Sequence, residues 1–181
     1  NTHKVIGTRS FSEDKSIIKT LGKLCCDTYK FNKISTVIKH IPGHGSSNLD
    51  SHKSTPKVNL SYKELLNNDF NCFKNVNSLL AMTAHIVYTK IDPYNVATHS
   101  KLIINNIIRK KIGFKGILIS DDISMKALKH NLVKNSHLAL KAGCNLVLYC
   151  AGITKETEKL LKSMPYIDNF TAKKTSEFYK F

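Results

Sequence analysis

Short apolar runs alternate with amphipathic segments along most of this chain, and this alternation is the feature that most limits its fold. The first run is β-branched and ends at a Pro-Gly loop, as a buried strand should. The runs predict strands at residues 35–40, 78–88, 116–120 and 145–150. Near-continuous apolar strands separated by amphipathic helices are typical of parallel βα units covered on both faces. The pattern therefore predicts an α/β fold with four parallel strands that are adjacent in chain order.

Capping residues and glycines indicate the ends of the predicted helices. Helices are expected to begin at Ser12, near residue 62, at Ser100, at residue 132 and at Thr154. Ser61 and Glu64 have the capping-box spacing for the second helix, which is expected to cover 62–76 and to break at Asn67–Asp69. Gly113 and Gly143 would end the third and fourth helices. The helix from Thr154 is expected to be the last.

The net charge first suggests a polyanion-binding protein. Lys and Arg number 28 against 13 acidic residues in 181, which gives a formal charge of +15. The lysines are scattered through every segment, however, and no nucleic-acid-binding motif or aromatic-basic platform is present. We expect one domain, no nucleic-acid partner and no membrane partner, since no apolar run approaches the length of a membrane span.

The five cysteines are odd in number, form no C-x-x-C pair and lie within apolar patterns. We expect them to be reduced and buried. The protein is expected to be cytoplasmic, because no apolar run is long enough for a membrane span and the start, NTHKVIGTRSF, has no signal-peptide core.

The segment KHIPGHGSSNLDSH, residues 39–52, concentrates side chains that can transfer protons or bind a metal. A metal could use His40, His44 and His52, but their spacing matches no strong ligand pattern. Asp50 and His52 are two residues apart, so in an extended segment they can point the same way and form a proton-transfer dyad. The alternative is that Asp50 only caps a turn and His52 faces solvent.

A second group of polar residues, SDDISM at 120–125, follows the third predicted strand. Adjacent residues on a strand face opposite sides, so only one of Asp121 and Asp122 can point into a site and act as a nucleophile. The competing interpretation is a helix cap with a solvated neighbour. Each reactive segment lies at the carboxyl end of a strand, which is where parallel α/β folds carry their active sites.

Several segments together resemble the family 3 glycoside hydrolases, with the closest likeness to the bacterial cytosolic β-N-acetylglucosaminidases (β-hexosaminidases) of peptidoglycan recycling. The resemblance runs from about Val5 to Leu161. The segments that carry it are VIGTRSF, KHIPGHGSSNLDSH, MTAHIVY, GFKGILISDDISM and ALKAGCNLVLYC. The family usually has Asp-Thr where Ser46-Ser47 stand, Phe where Ile41 stands and an acidic residue where Thr8 stands.

The resemblance implies retaining hydrolysis of terminal non-reducing β-N-acetylglucosamine residues from peptidoglycan-derived muropeptides. Asp121 matches the nucleophile, His52 the general acid/base and Asp50 its dyad partner. Arg9, Lys39 and His40 match residues that bind the amino sugar, and we assign His44 to holding the loop. No cofactor or metal is expected.

Length separates this chain from a complete barrel. A (β/α)₈ barrel takes about 250 residues, and only four strands are predicted here. The resemblance therefore implies that residues 1–181 are the C-terminal half of the family's TIM-type barrel, with strands 5 to 8, and that an N-terminal half-barrel is a possible partner. A β-N-acetylglucosaminide phosphorylase, an inactive remnant and a polyanion-binding protein remain alternatives.

Overall fold

The computed structural model describes residues 7–47 and 54–177, and a four-stranded parallel sheet forms its centre. The strands of the described residues are, in chain order, β1 (Val37–Ile41), β2 (Lys57–Val58), β3 (Leu80–Thr83), β4 (Val87–Tyr88), β5 (Ile117–Asp122) and β6 (Leu146–Leu148). The central sheet has the order β1-β3-β5-β6, and each neighbouring pair is parallel. The predicted order and direction of the four strands are confirmed.

Helices connect and cover these strands. They are α1 (Lys15–Phe31), α2 (Tyr62–Asn67), a π-helix (Ile103–Ile112), α3 (Leu132–Ala142), α4 (Thr154–Ser163) and α5 (Asn169–Ser176). Short 3-10 turns cover Gly7–Arg9, Phe70–Phe73 and Ala97–His99. Among the described residues, no helix is long and apolar enough to cross a membrane.

Local capping explains why most of the predicted helix ends are found. Ser61 and Glu64 form both hydrogen bonds of a capping box at the start of α2, which ends before the turn at Phe70. The Ser100 hydroxyl accepts from Ile103 N at the start of the π-helix. Gly113 ends that helix with a φ of +83°, a left-handed conformation that glycine adopts without strain. Each of these signals is local, so the sequence is sufficient to predict it.

The predicted strand at 78–88 is wrong as a single element. The central strand β3 ends at Thr83, and β4 pairs instead with β2 in a separate parallel sheet of two short strands. The residues between β3 and β4 are buried although they lie outside both ladders. Because burial keeps the whole stretch apolar, hydropathy alone cannot reveal the change of sheet.

The two ends of the chain also differ from the prediction. Asp14, not Ser12, caps α1, because its carboxylate accepts from Ser16 N. Helix α5 follows α4 and was not predicted; Asp168 caps it by accepting from Thr171 N. The expectation that α4 is the last helix is therefore wrong.

The expectation that all five cysteines are buried is wrong. None of them is in a disulfide, and Cys26 and Cys144 are buried. Cys25 and Cys72 are only half-buried, and Cys150 is exposed. Strand β6 ends at Leu148 rather than at residue 150, so Cys150 lies beyond the sheet.

The central sheet has one covered face and one open face. Ala81 and Leu118 point to the helices and belong to the main core, and Val147 packs against it. Side chains alternate along a strand, so the intervening residues point to the other face. Ile117 is fully buried there, but most of these residues are only half-buried: Leu80, Met82, Ile119, Leu146 and Leu148. The described part of the chain thus leaves one apolar face of its sheet partly open.

Candidate functional site

Asp121 lies at the carboxyl end of β5, on the open face of the sheet. Strand β5 continues to Asp122, two residues beyond the predicted end. Leu118 packs among the helices, so alternation places Ile119 on the opposite face. The pairing with β6 is irregular between Ile119 and Asp122, so the position of Asp121 is taken from its contact with His40 and not from alternation. The Asp121 side chain keeps 16% of its surface exposed. A carboxylate in this position can meet a ligand on the open face.

His40 contacts Asp121 across the intervening strand. The His40 Nε2 atom lies 3.6 Å from Asp121 Oδ2. Neighbouring strands are about 4.8 Å apart, so β1 and β5 are separated by about 10 Å because β3 lies between them. Both side chains must therefore lean over the end of β3 toward a common point. The structure brings together these two residues of the predicted site.

Burial makes the His40 imidazole neutral at physiological pH. Desolvation lowers its pKa to about 4, although the Asp121 carboxylate acts in the opposite direction. A neutral imidazole offers one N–H donor and one acceptor nitrogen. The neutral ring therefore gives Asp121 no full counter-charge.

The Asp122 carboxylate is engaged by neighbouring hydrogen-bond donors. Its carboxylate accepts from Ser124 N at 3.0 Å, Ser124 Oγ at 2.6 Å and Cys150 N at 3.2 Å. These bonds join the end of β5 to the segment after β6. The expectation that only one of the two adjacent aspartates faces the site stays a prediction.

The loop after β1 is held by two residues that the sequence analysis did not single out. Asp69, 8% exposed, accepts from Ser46 N at 3.1 Å and from the Ser46 hydroxyl. Tyr88 donates its hydroxyl proton to Gly43 O at 2.5 Å. These contacts join residues far apart in the sequence, so no local pattern could have indicated them.

His44 belongs to this loop and lies beside His40. The centroids of the two rings are 5.6 Å apart, with the rings tilted by 59°. His44 O also accepts from Ser47 N in the turn. The assignment of His44 to the loop rather than to chemistry remains a prediction.

His85 is a further residue to which the sequence analysis gave no role, although it lies in the quoted MTAHIVY segment. It is 1% exposed and follows the carboxyl end of β3. Its Nε2 atom lies 3.0 Å from Asp122 O, and its Nδ1 atom lies 2.7 Å from Thr98 Oγ1. The signal available in the sequence was a histidine within an apolar segment, between the two segments that carry His40 and Asp121.

The remaining predicted site residues are only partly described. Lys39 is exposed on β1, next to His40. Asp50 and His52 lie outside the described residues, as does the side chain of Arg9. Just after the undescribed segment, Thr55 donates to Ala127 O at 2.7 Å. The structure therefore gives no test of the Asp50–His52 dyad.

The alternative of a metal site finds no complete ligand set in the described residues. Within residues 7–47 and 54–177, no three His, Cys, Asp or Glu side chains are grouped to hold a metal ion. The metal hypothesis also required His52, which lies outside these ranges.

Comparison with known families and proteins yields a consistent set of relatives. The model of the glycosyl hydrolase family 3 N terminal domain matches residues 1–172. A β-hexosaminidase of Haemophilus ducreyi is 37% identical over 153 residues, which are 81% of this chain and 44% of that protein. A β-hexosaminidase of Actinobacillus succinogenes is 35% identical over 176 residues, which are 91% of this chain and 51% of that protein.

Solved structures give the same likeness. NagZ from Neisseria gonorrhoeae, solved with N-trifluoroacetyl-D-glucosamine, is 27% identical with a TM-score of 0.85 over 98% of this chain and 52% of that chain. CbsA from Thermotoga neapolitana is 31% identical with a TM-score of 0.78 over 95% of this chain and 42% of that chain. The chain spans about half the length of the curated relatives it matches.

Proposed function

The chain belongs to glycosyl hydrolase family 3, and from this premise we propose that it carries the catalytic residues of a retaining β-N-acetylhexosaminidase. The proposed reaction removes terminal non-reducing β-N-acetylglucosamine residues from peptidoglycan-derived muropeptides. The observation that carries the proposal is the convergence of His40 and Asp121, 3.6 Å apart, on the open face of the sheet. The named relatives are β-hexosaminidases, which supports the reaction class.

Asp121 is the proposed nucleophile. In a retaining mechanism, one carboxylate attacks the anomeric carbon while an acid protonates the leaving oxygen, and a covalent glycosyl-enzyme forms. The partly exposed Asp121 carboxylate at the end of β5 suits the attack. The carboxylate of Asp122 is engaged by Ser124 and by the backbone of Cys150, which supports the choice of Asp121.

His52 is the proposed acid/base, with Asp50 as its partner. This assignment rests on the match of LDSH to the family motif. His52 would protonate the leaving oxygen and then take a proton from the attacking water, so the same imidazole serves both steps. Asp50 would fix its tautomer and raise its pKa.

His40, Lys39 and Arg9 are the proposed sugar-binding residues. The neutral His40 ring at the end of β1 can exchange hydrogen bonds with a sugar hydroxyl. Lys39 is exposed beside it and can donate to a second hydroxyl. One solved relative was crystallised with N-trifluoroacetyl-D-glucosamine, which supports an amino sugar as the ligand.

We also propose that the chain is the C-terminal half of a TIM-type barrel, with β1, β3, β5 and β6 as its strands 5 to 8. In the described residues β1 and β6 are the sheet edges, and unpaired edges favour association. Large apolar side chains are also exposed on the segments that precede β1 and follow β6 in the sequence. Before β1 these are Phe11, Ile17, Leu24, Tyr29, Phe31 and Ile34, and after β6 they are Ile153, Leu161, Tyr166, Ile167 and Phe170. The other βα units would come from residues outside this sequence. A cytoplasmic location also remains a prediction.

Complementation tests the proposal. For this test the chain is co-expressed with the unmatched part of the Haemophilus ducreyi β-hexosaminidase, which supplies the remaining βα units. This pair is called the completed enzyme. It should hydrolyse 4-nitrophenyl N-acetyl-β-D-glucosaminide, because both sets of sugar-positioning residues are then present. The chain alone and the complementing part alone should show little turnover. Robust turnover by the chain alone would contradict the half-barrel proposal, and an inactive completed enzyme would contradict the proposed activity.

A further inference from the structure

A buried polar chain of three residues lies directly behind the proposed nucleophile. His85, Thr98 and Thr83 are each at most 1% exposed. Thr98 Oγ1 is 2.8 Å from Thr83 Oγ1 and 2.7 Å from His85 Nδ1. His85 Nε2 completes the chain at 3.0 Å from Asp122 O. The hydrogen bonds therefore run from the interior to the carboxyl end of β5.

The Asp122 carbonyl determines which atoms donate in this series of hydrogen bonds. Asp122 O is a carbonyl oxygen and can only accept, so His85 Nε2 must carry a proton. Burial lowers the pKa of His85 despite the nearby Asp121 carboxylate, so the ring is neutral and its Nδ1 atom is an acceptor. The Thr98 hydroxyl is within reach of two acceptors, His85 Nδ1 at 2.7 Å and Ala84 O at 3.1 Å, and the shorter contact assigns its proton to Nδ1. Thr83 then donates to Thr98. One tautomer satisfies both nitrogens of His85.

The carbonyl that His85 binds belongs to Asp122, the residue after the proposed nucleophile, and Met125 N also donates to this oxygen at 3.2 Å. Asp121 Oδ1 accepts from Asp122 N at 2.8 Å, so the carboxylate is oriented by the backbone of the same residue whose carbonyl His85 binds. A shift of the Asp122 backbone would therefore move the Asp121 carboxylate. Small displacements of reacting groups have large effects on rate.

We propose that His85 is a positioning residue for Asp121: its Nε2–H donor fixes the Asp122 carbonyl and thereby the aim of the nucleophile. This inference rests on the proposed function of Asp121. A purely structural role of a buried histidine would affect stability in general. The proposed role instead depends on the Nε2–H donor of His85 and acts on the attack by Asp121.

Two replacements separate the two ring nitrogens. In His85→Gln, the longer side chain can place an amide N–H near the Nε2 position and keep the donor to Asp122 O. In His85→Asn, the shorter side chain reaches Thr98 but not Asp122. We expect His85→Asn to lower kcat of the completed enzyme by about tenfold or more with little change in KM, and His85→Gln to stay within about threefold of the wild type.

Ser120→Ala is the matched control for a loss of stability near the nucleophile. Ser120 is fully buried on β5 and accepts from Leu148 N at 3.0 Å. At a temperature where all variants are folded, it should lower kcat less than His85→Asn does. If His85→Gln and His85→Asn lower kcat equally, or neither lowers it, the positioning role is overturned.

NMR of the 181-residue chain gives a measurement that needs no activity. The ¹⁵N shifts of His85 should show a protonated Nε2 and an unprotonated Nδ1. The backbone resonances of Asp121 and Asp122 should move in His85→Asn and stay near their wild-type positions in His85→Gln. The opposite tautomer, or equal shifts in both variants, would overturn the inference. An inactive completed enzyme with the expected shifts would contradict only the proposed function.

Discussion

The His40 ring and the Asp121 carboxylate lie 3.6 Å apart although a whole strand separates β1 from β5. The contact shows that the carboxyl ends of the central strands direct polar side chains toward one point on the open face. The segments that carry them, KHIPGHG and SDDISM, are about eighty residues apart in the sequence. Parallel topology alone brings their strand ends to the same edge.

Close packing at Gly43 gives a prediction about the loop after β1. A Cβ at Gly43 would overlap the Asp69 side chain, which also binds Ser46. Gly43→Ala should therefore destabilise the chain by about 1–3 kcal/mol, since the buried carboxylate would have to move. Urea denaturation of the chain measures the change.

Gly22→Ala is the control for this replacement. A Cβ at Gly22 in α1 has no neighbour within 4 Å in the described structure. The replacement should stabilise the helix by up to about 1 kcal/mol, because alanine has the higher helix propensity. Equal effects of the two replacements would contradict the packing described at Gly43.

Buried His99 predicts a loss of stability in acid. Burial lowers its pKa to about 4, whereas an unfolded histidine titrates near 6.5. Between these values the unfolded chain binds more protons than the folded one, so the free energy of unfolding falls as pH decreases from about 6.5 to about 4. His99→Phe should flatten this dependence in urea titrations at about pH 7 and about pH 5. The same slope in both proteins would exclude His99 as a source.

The sequence predicted those parts of the fold that depend on local signals. The interval 132–142 coincides with α3, and Gly113 ends the π-helix, because apolar periodicity and left-handed glycines act over a few residues. The split of 78–88 into β3 and β4 depends on the pairing of β4 with β2, which no local pattern encodes.

The site was predictable to a similar extent. His40 and Asp121 lie at the carboxyl ends of apolar strands, so their position at the carboxyl edge of the sheet could be expected. Asp69 contacts Ser46 from 23 residues away, and His85 meets the Asp122 carbonyl from 37 residues away. These partners follow from tertiary packing, which has no signal in the spacing of residues.

The proposed role of His52 predicts a dependence on the leaving group. His52→Ala removes the proton donor, so the completed enzyme should lose more activity toward a disaccharide than toward 4-nitrophenyl N-acetyl-β-D-glucosaminide, whose leaving group needs little protonation. Kinetics with both substrates measure the ratio. Equal losses would indicate that another residue protonates the leaving oxygen.

The identity of the acceptor distinguishes hydrolase from phosphorylase. An imidazole acid/base does not repel phosphate as a carboxylate would, so phosphate can compete with water for the glycosyl-enzyme. The proposed hydrolysis yields free N-acetylglucosamine even when inorganic phosphate is present. Chromatography of the products provides the measurement, and N-acetylglucosamine 1-phosphate as the main product would instead establish a phosphorylase.

Labelling of the glycosyl-enzyme tests the central claim most directly. A slow fluorinated N-acetylglucosaminide with a good leaving group should accumulate as an ester on the completed enzyme, because its second step is retarded. Peptide mass spectrometry should find the sugar on Asp121, and Asp121→Asn should abolish both label and turnover. A label on Asp122 or another residue, or steady turnover by the Asp121→Asn variant, would contradict the assignment of Asp121 as the nucleophile.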